Sequence, residues 1–137
     1  MIQLVYLSST RWLLTADDVA RILDSSLRNN ARDNITGILI YRSGSVMQLL
    51  EGEADLVHRL FEVIKRDERH HRITLLYDIP VKERDFTGWS MAYRNLDVVS
   101  DLPPVGYSAL LDDNFDMSSI EPARARQILT LFKAPLR

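Results

Sequence analysis

Residues 35–52, ITGILIYRSGSVMQLLEG, predict a β-hairpin near the middle of the chain. Its strands are the apolar stretches 35–41 and 45–51, and the turn between them, RSGS at 42–45, has the polar composition typical of hairpin turns. Gly37 inside the first strand indicates either a close approach by another group or a bulge. We therefore expect two adjacent strands here, with the rest of the domain built outward from them.

Gln48 stands in the middle of the apolar run of the second strand. The two-residue period of a strand places Gln48 on one face with Val46 and Leu50, and places Met47 on the other face with Leu49. An amide among apolar neighbours needs hydrogen-bond partners if its face is buried. Gln48 is therefore a candidate functional residue.

The elements on either side of the hairpin complete an α+β pattern. A strand over 2–7 and a helix over about 15–30 precede it; a helix over about 53–66 and strands over 73–79 and 89–94 follow it. The order β-α-β-β-α-β with one added strand is that of the ferredoxin-like fold, an antiparallel sheet with two helices on one face.

Apolar stripes and a capping residue support both helices. Thr15 is the predicted N-cap of the first helix, and polar Ser8-Ser9-Thr10 is expected to end the first strand. The core-facing stripes recur at helical spacing. They comprise Val19, Ile22, Leu23 and Leu27 in the first helix, and Val57, Leu60, Phe61 and Ile64, extended by Asp67, in the second.

The C-terminal part of the chain predicts two further helices, near 105–112 and 120–133. We expect a domain over 1–97 and a C-terminal helical extension over 98–137. This extension is expected to be a helical hairpin packed on the domain.

Composition excludes several classes of protein. The chain has 137 residues, 46% of them hydrophobic, and a net charge of −2, which fits one soluble domain and shows no basic excess for a nucleic-acid partner. No apolar run approaches the roughly 18 residues of a membrane span. The absence of cysteine excludes disulfides, thiolate nucleophiles and iron–sulfur sites, and the spacing of His58, His70 and His71 matches no usual metal site. We expect a cytoplasmic protein without a membrane partner.

Several polar side chains fall on the side of the sheet expected to face the helices. They are Tyr6, Ser26, Asn30, Gln48 and Asp67. Each would cost about 1–3 kcal/mol if buried without a partner, so they must satisfy one another, a bound ligand or water. A flat heterocycle with an alternating carbonyl and N–H edge suits such a set, with Ile22 and Ile64 as apolar walls.

Structural explanations exist for the same residues. A strand tyrosine is usually a core residue, Asn29-Asn30 suits a helix end, and Asp67, Arg69 and His70 suit a solvated helix terminus. A small-molecule enzyme of the acylphosphatase kind would need an anion-binding loop, for which only Ser8-Ser9-Thr10-Arg11 is a candidate. A small ligand-sensing or oligomerising module of the ferredoxin-like fold is the other alternative. The residues alone indicate a small α/β domain with a candidate ligand pocket.

Six short motifs in order resemble those of the BLUF domains, blue-light sensors that use flavin adenine dinucleotide (FAD). They are LVYLS at 4–8, NN at 29–30, ITGIL at 35–39, QLLEG at 48–52, DERH at 67–70 and FTGWSM at 86–91. Together they cover residues 2 to about 95. The tail resembles that of short members with no enzymatic output domain, so the resemblance implies a photoreceptor and not an enzyme.

The resemblance also implies roles for individual residues. Light-driven electron and proton transfer from Tyr6 would rearrange the hydrogen bonds of Gln48 and give a red-shifted signalling state, which Trp89 and Met91 would transmit. FAD is the implied cofactor, with FMN or riboflavin as substitutes in vitro; a homo-oligomer and a separate protein partner are expected. The implied cofactor contacts are Tyr6, Ile22, Ser26, Asn29, Asn30, Gln48, Ile64, Asp67, Arg69 and His70.

Overall fold

The chain folds into the predicted succession of strands and helices. The structure is a computed structural model that describes residues 1–85 and 91–95. Its elements are β1 (Ile2–Thr10), α1 (Ala16–Arg32), β2 (Thr36–Arg42), β3 (Ser45–Gly52), α2 (Ala54–Lys65), β4 (His70–Pro80) and β5 (Ala92–Asn95). The ferredoxin-like α+β fold is confirmed. The helical hairpin expected over 98–137, and the domain boundary before it, lie outside the described residues.

The strands form one sheet in the order β4-β1-β3-β2-β5. β1 to β4 make the predicted antiparallel sheet, and β5 pairs with β2 in parallel. β5 therefore adds at the edge opposite β4, so the connection between these strands crosses from one side of the sheet to the other. The central pair is β1 and β3, in which Tyr6 lies directly opposite Gln48.

Both helices pack on the face of the sheet that carries Tyr6, as predicted. Ile22 of α1 and Ile64 of α2 are partly buried against a core cluster that includes Tyr6 and Leu50. Leu27, expected in the apolar stripe of α1, is instead 46% exposed. Its place in the stripe was predicted from spacing alone; the C-terminal half of α1 turns polar residues toward the sheet.

The ends of two strands differ from the prediction. β1 continues through residues 8–10, because Ser9 pairs with Ser45 on one side and with His71 on the other. Polar side chains do not stop a strand whose backbone is paired on both edges. Residues 8–11 therefore do not form the anion-binding loop considered for them, since residues 8–10 lie in β1 and the N–H of Arg11 donates to the carbonyl oxygen of Arg69. β4 likewise begins at His70, in the stretch assigned to the cationic end of the second helix.

The second helix ends earlier than predicted. α2 stops at Lys65, so Asp67 does not extend its stripe. The carboxylate of Asp67 instead accepts the backbone N–H of Arg69 at 2.9 Å. His70 Nε2 lies 2.6 Å from the carbonyl oxygen of Ile64 in the last turn of the helix. These two contacts replace helical hydrogen bonds and turn the chain into β4.

The opposite face of the sheet is buried as well and holds a polar network. Glu51 is completely buried (0% exposed) and lies directly opposite Gln3. Its Oε2 accepts from Gln3 Nε2 at 2.9 Å and from the backbone N–H of Asp85 at 2.7 Å. Gln3 Oε1 accepts from the hydroxyl of Tyr77 at 2.6 Å. The network ties the segment after β4 to the two central strands.

Arg84 extends this network to the hairpin. Its Nη1 donates to Thr36 Oγ1 and to the carbonyl oxygen of Glu51, both at 2.9 Å, and its Nη2 donates to the carbonyl oxygen of Asn34 at 2.7 Å. A guanidinium group can serve three acceptors at once because its donors are fixed in a planar fork. The start of the β4–β5 connection is thereby held against β2 and β3.

Gly37 makes the close approach that was one of its two predicted roles. A Cβ atom at this position would lie 2.0 Å from the carbonyl oxygen of Leu49, and the register with β3 is unbroken at this point. The bulge alternative is therefore wrong. β2 and β3 are joined at a separation that only glycine permits here.

The change Gly37→Ala tests this constraint. We expect it to lower the free energy of unfolding by about 3 kcal/mol, because β2 and β3 must move apart. Gly52→Ala is the matched control: its Cβ would meet atoms no closer than 3.3 Å, so a loss of about 1 kcal/mol or less is expected. Urea unfolding followed by circular dichroism measures both. Equal losses in the two variants would contradict the assignment.

Candidate functional site

A cavity of about 450 Å³ lies between the two helices and the sheet. This volume falls within the range of small-molecule sites. All ten residues predicted to contact a cofactor line it: Tyr6, Ile22, Ser26, Asn29, Asn30, Gln48, Ile64, Asp67, Arg69 and His70. They come from β1, α1, β3, α2 and the turn into β4. The fold therefore brings the predicted set into one cavity.

Tyr6 and Gln48 are joined by a hydrogen bond at the sheet side of this cavity. The Tyr6 hydroxyl donates to Gln48 Oε1, and Gln48 Nε2 donates to Met91 Sδ at 3.5 Å. All three residues are buried. Met91, one of the two predicted transmission residues, thus contacts Gln48. The other, Trp89, lies outside the described residues.

The surroundings of Tyr6 keep its phenol protonated. Its ring packs at 5.4 Å between centroids against Phe61 and at 6.3 Å against His70. Burial, and secondly the negative charge of Asp67, raises the pKa of the Tyr6 phenol well above its ordinary value. At neutral pH, Tyr6 is therefore a neutral donor whose acceptor is the Gln48 amide.

Two polar residues of α1 stand one turn apart on the wall of the cavity. Ser26 and Asn30 both line it, as their spacing of four predicted. Asn30 is only 2% exposed. Its backbone carbonyl oxygen accepts the N–H of Ile35 at 2.8 Å, and this bond lies where the chain leaves α1 toward β2. Ser26 and Asn30 therefore border the same space as the apolar Ile22 and Ile64.

The mouth of the cavity carries an ion pair. Arg69 Nε lies 3.0 Å from both carboxylate oxygens of Asp67. The hydrogen bonds from Arg69 hold the pKa of the Asp67 carboxyl below its usual range, so the pair is charged at neutral pH. Its exposed side reaches solvent, which makes this end of the cavity polar.

His70 is fixed in one tautomer by its two partners. Its Nε2 contacts the carbonyl oxygen of Ile64 at 2.6 Å, and its Nδ1 contacts Ser8 Oγ at 2.9 Å. Because a carbonyl oxygen only accepts, Nε2 carries the proton and donates to it. In the neutral ring, Nδ1 then accepts from the Ser8 hydroxyl. His70 is thus a fixed wall residue beside Tyr6.

Sequence reasoning missed part of the lining. The additional lining residues are Thr10, Leu14, Ser25, Leu39, Val46, Leu60, Val63 and Arg66. Leu60 lies four residues before Ile64 on α2, so helical spacing could have identified it as a second wall residue. Nothing in the local pattern marks Thr10 or Leu14, because their position depends on β1 continuing past its predicted end.

Neither a metal site nor a membrane-spanning helix is present in the described part. Within residues 1–85 and 91–95, no group of three or more His, Cys, Asp or Glu side chains could hold a metal ion. No helix in these ranges is both long and apolar enough to cross a bilayer.

Fold and cavity together define an α+β ligand-binding domain, with a buried tyrosine–glutamine pair at the base of its site. The family model described as "Sensors of blue-light using FAD" (BLUF) matches residues 1–92. The chain therefore belongs to the BLUF family, whose defining cofactor is FAD.

Relatives and solved structures agree with this family. The photoactivated adenylate cyclase subunit beta of Euglena gracilis is 30% identical over 103 residues, which are 74% of this chain and 12% of that protein. A bacterial light-regulated adenylyl cyclase is 38% identical with a TM-score of 0.74, over 81% of this chain and 33% of that one. BlsA in its ground state is 26% identical with a TM-score of 0.80, over 97% of this chain and 87% of that one. The chain thus spans only about an eighth of the cyclase subunit.

The residues of the cavity fit a flavin. Ile22 and Ile64, one from each helix, are apolar walls for a flat ring, and the amides of Asn30 and Gln48 are suited to its carbonyl and N–H edge. The charged mouth at Asp67 and Arg69 suits the polar part of the cofactor beyond the ring. The donor set therefore matches the chemistry of the family's cofactor.

The raised pKa of Tyr6 predicts how the free energy of unfolding changes at alkaline pH. The phenol ionises near its ordinary value of 10.0 in the unfolded chain and only at higher pH in the folded protein. The folded state then holds more protons, so stability falls as pH rises above about 10. We expect the free energy of unfolding to fall less steeply between pH 10 and 11 in Tyr6→Phe, by up to about 1.4 kcal/mol per pH unit. Parallel pH profiles for the two proteins would contradict the assignment.

Proposed function

We propose that this chain is a blue-light photoreceptor in which FAD binds with its flavin ring in the cavity. The observation that supports this most is the hydrogen-bonded chain from Tyr6 through Gln48 to Met91 at the base of the site. It joins a phenol that can be oxidised, an amide that can exchange its donor and acceptor ends, and a residue directly before β5. The small-molecule enzyme considered as an alternative would not need such an arrangement.

Tyr6 is the proposed electron and proton donor. When bound and excited by blue light, the flavin supplies a strong one-electron oxidant. Loss of an electron leaves the phenol strongly acidic, and an unpaired positive charge is costly at so buried a position. The phenolic proton therefore leaves along the existing hydrogen bond to Gln48 Oε1. Electron and proton later return to Tyr6, so no covalent change remains.

Gln48 is the proposed switch. Its carbonyl end accepts from Tyr6 and its amino end donates to Met91. Rotation of the amide, or its tautomerisation, exchanges a donor for an acceptor at each end without breaking a covalent bond. The new hydrogen bonds beside the ring are expected to shift the absorption to longer wavelength. The stored difference is that of a few hydrogen bonds, about 0.5–1.5 kcal/mol each.

Residues of the helices and of the mouth are proposed to hold the cofactor. Ile22 and Ile64 would sandwich the ring, and Ser26, Asn29 and Asn30 would bind its polar edge. Asp67, Arg69 and His70 would line the ring and the ribityl chain. Their common place in the cavity supports these assignments.

The signal is proposed to leave through Met91 and β5. Met91 directly precedes Ala92, where β5 begins to pair with β2 at the sheet edge. Trp89 is proposed to act with Met91. The receiver would be a homo-oligomer interface or a separate protein partner in the cytoplasm. The cyclase relatives support this direction of signalling, because domains of this family work with effectors.

Absorption spectra before and after blue light test the function. The purified protein should be yellow and should show a red shift that reverses in darkness. Tyr6→Phe should keep the flavin and lose the shift completely, and Gln48→Leu should do the same, because each removes one end of the hydrogen bond. Tyr41→Phe is the matched control: Tyr41 is equally buried, and its hydroxyl only accepts from the Leu14 N–H at 3.2 Å.

The control should retain the full shift. A normal shift in Tyr6→Phe would overturn the mechanism, while a protein that stays colourless with added flavin would overturn the function. The second result would favour the ligand-sensing or oligomerising module.

Met91→Leu tests the transmission step. The variant keeps an apolar side chain but loses the sulfur that accepts from Gln48 Nε2. We expect the red shift to persist and dark recovery to slow about twofold, since a weak hydrogen bond of ~0.5 kcal/mol no longer favours the dark orientation of the amide. Met47→Leu is the control, because Met47 is buried on the opposite face of the same strand. Identical recovery rates in the two variants would exclude a role for the Met91 contact.

A further inference from the structure

A second, more open cleft adjoins the mouth of the cavity. It has a volume of about 520 Å³ and is lined by Arg11, Trp12, Glu68 and Arg69. Arg69 lines both spaces, and Thr10 of the cavity is the residue before Arg11 of the cleft. A ligand held in the cavity can therefore continue into the cleft.

The two sides of the cleft are joined by the backbone. The N–H of Arg11 donates to the carbonyl oxygen of Arg69 at 3.1 Å. Trp12 follows directly, and its Nε1 donates to Asp18 Oδ2 at 3.1 Å. Trp12 is nevertheless 48% exposed. The indole is thus oriented by a hydrogen bond while much of its surface remains in contact with solvent.

Charges of both signs lie beside this indole: Asp18 accepts its N–H, and Arg11, Arg69 and Glu68 line the cleft. The guanidinium of Arg69 is paired with Asp67, and Glu68 is the acidic residue of the cleft. In the described part of the chain, no ion pair engages the guanidinium of Arg11. Burial, and then the charges of Arg11, Arg72 and His70, lowers the pKa of neighbouring His71.

We propose that this cleft binds the adenosine diphosphate half of FAD, with Arg11 on the diphosphate and Trp12 stacked on the adenine. The proposal rests on the proposed function, which puts the flavin ring in the adjoining cavity. Arginine suits phosphate because its planar donors match phosphate oxygens, and adenine stacks on an aromatic ring through its π-face. The chain would then prefer FAD to FMN, and FMN to riboflavin.

Binding of three flavins to flavin-free protein tests this. Riboflavin reaches only the cavity, FMN adds one phosphate, and FAD adds the second phosphate and adenosine. Dissociation constants come from the quenching of flavin fluorescence in the dark. Trp12→Ala should weaken FAD about five- to hundredfold, the range of one base–aromatic stack, and leave FMN and riboflavin unchanged. Arg11→Ala should weaken FAD and FMN about threefold and leave riboflavin unchanged.

Two neighbouring variants are matched controls. Leu13→Ala removes an apolar side chain that is 70% exposed and lines neither space. Arg28→Ala removes a cation that is already paired with Asp24 on the surface of α1. Neither should change the affinity for any flavin by more than about twofold. FAD binding should also weaken with added salt more than riboflavin binding does, because FAD, unlike riboflavin, presents phosphate charge to Arg11.

The outcomes separate this proposal from the proposed function. If riboflavin binds and FAD binds no more tightly, or if Trp12→Ala leaves the FAD constant unchanged, the cleft is not the adenosine site while the photoreceptor assignment stands. If no flavin binds the wild-type protein, both fail. Selective loss of FAD affinity in Trp12→Ala, with riboflavin unaffected, establishes the site.

Discussion

The register of β1 on β3 is the constraint on which the rest of the molecule depends. It sets Tyr6 opposite Gln48 on the helix-covered face and Gln3 opposite Glu51 on the other. Because side chains alternate along a strand, a slip of β1 by one residue would exchange the faces of Tyr6 and Gln3, while Gln48 and Glu51 kept theirs. That slip is opposed because it would separate buried polar side chains from their partners, Tyr6 from Gln48 and Gln3 from Glu51. One alignment therefore builds both polar pairs.

The Tyr6–Gln48 pair also explains how the site can exist before a cofactor binds. A buried phenol and a buried amide would each cost about 1–3 kcal/mol if unpaired. The hydroxyl of Tyr6 donates to the amide, and the amide donates to Met91, so the groups at the base of the cavity satisfy one another. The site is thus preorganised. A change in the Gln48 amide can alter both hydrogen bonds that join Tyr6, Gln48 and Met91.

Sequence periodicity predicted which residues line the candidate site more accurately than it predicted where the strands and helices end. Ser26 and Asn30 were correctly placed together because a spacing of four fixes one face of a helix. Leu27 was placed wrongly by the same rule, since the rule cannot say how far along a helix the apolar contact continues. His70 was assigned to a helix end, yet it starts β4 because its backbone pairs with Thr10. Pairing with a distant strand leaves no local sequence signal.

The amino-acid pattern was sufficient for the order of elements and the facing of Gln48, because the periods of strands and helices are local properties. Folding in three dimensions was needed for the parallel addition of β5, the burial of Glu51 beside Gln3, and the cleft at Arg11 and Trp12. Each of these joins residues far apart in the chain through backbone pairing or side-chain hydrogen bonds: Ala92 with Ile38, Glu51 with Gln3, and Arg11 with Arg69. No local stretch of sequence carries that information.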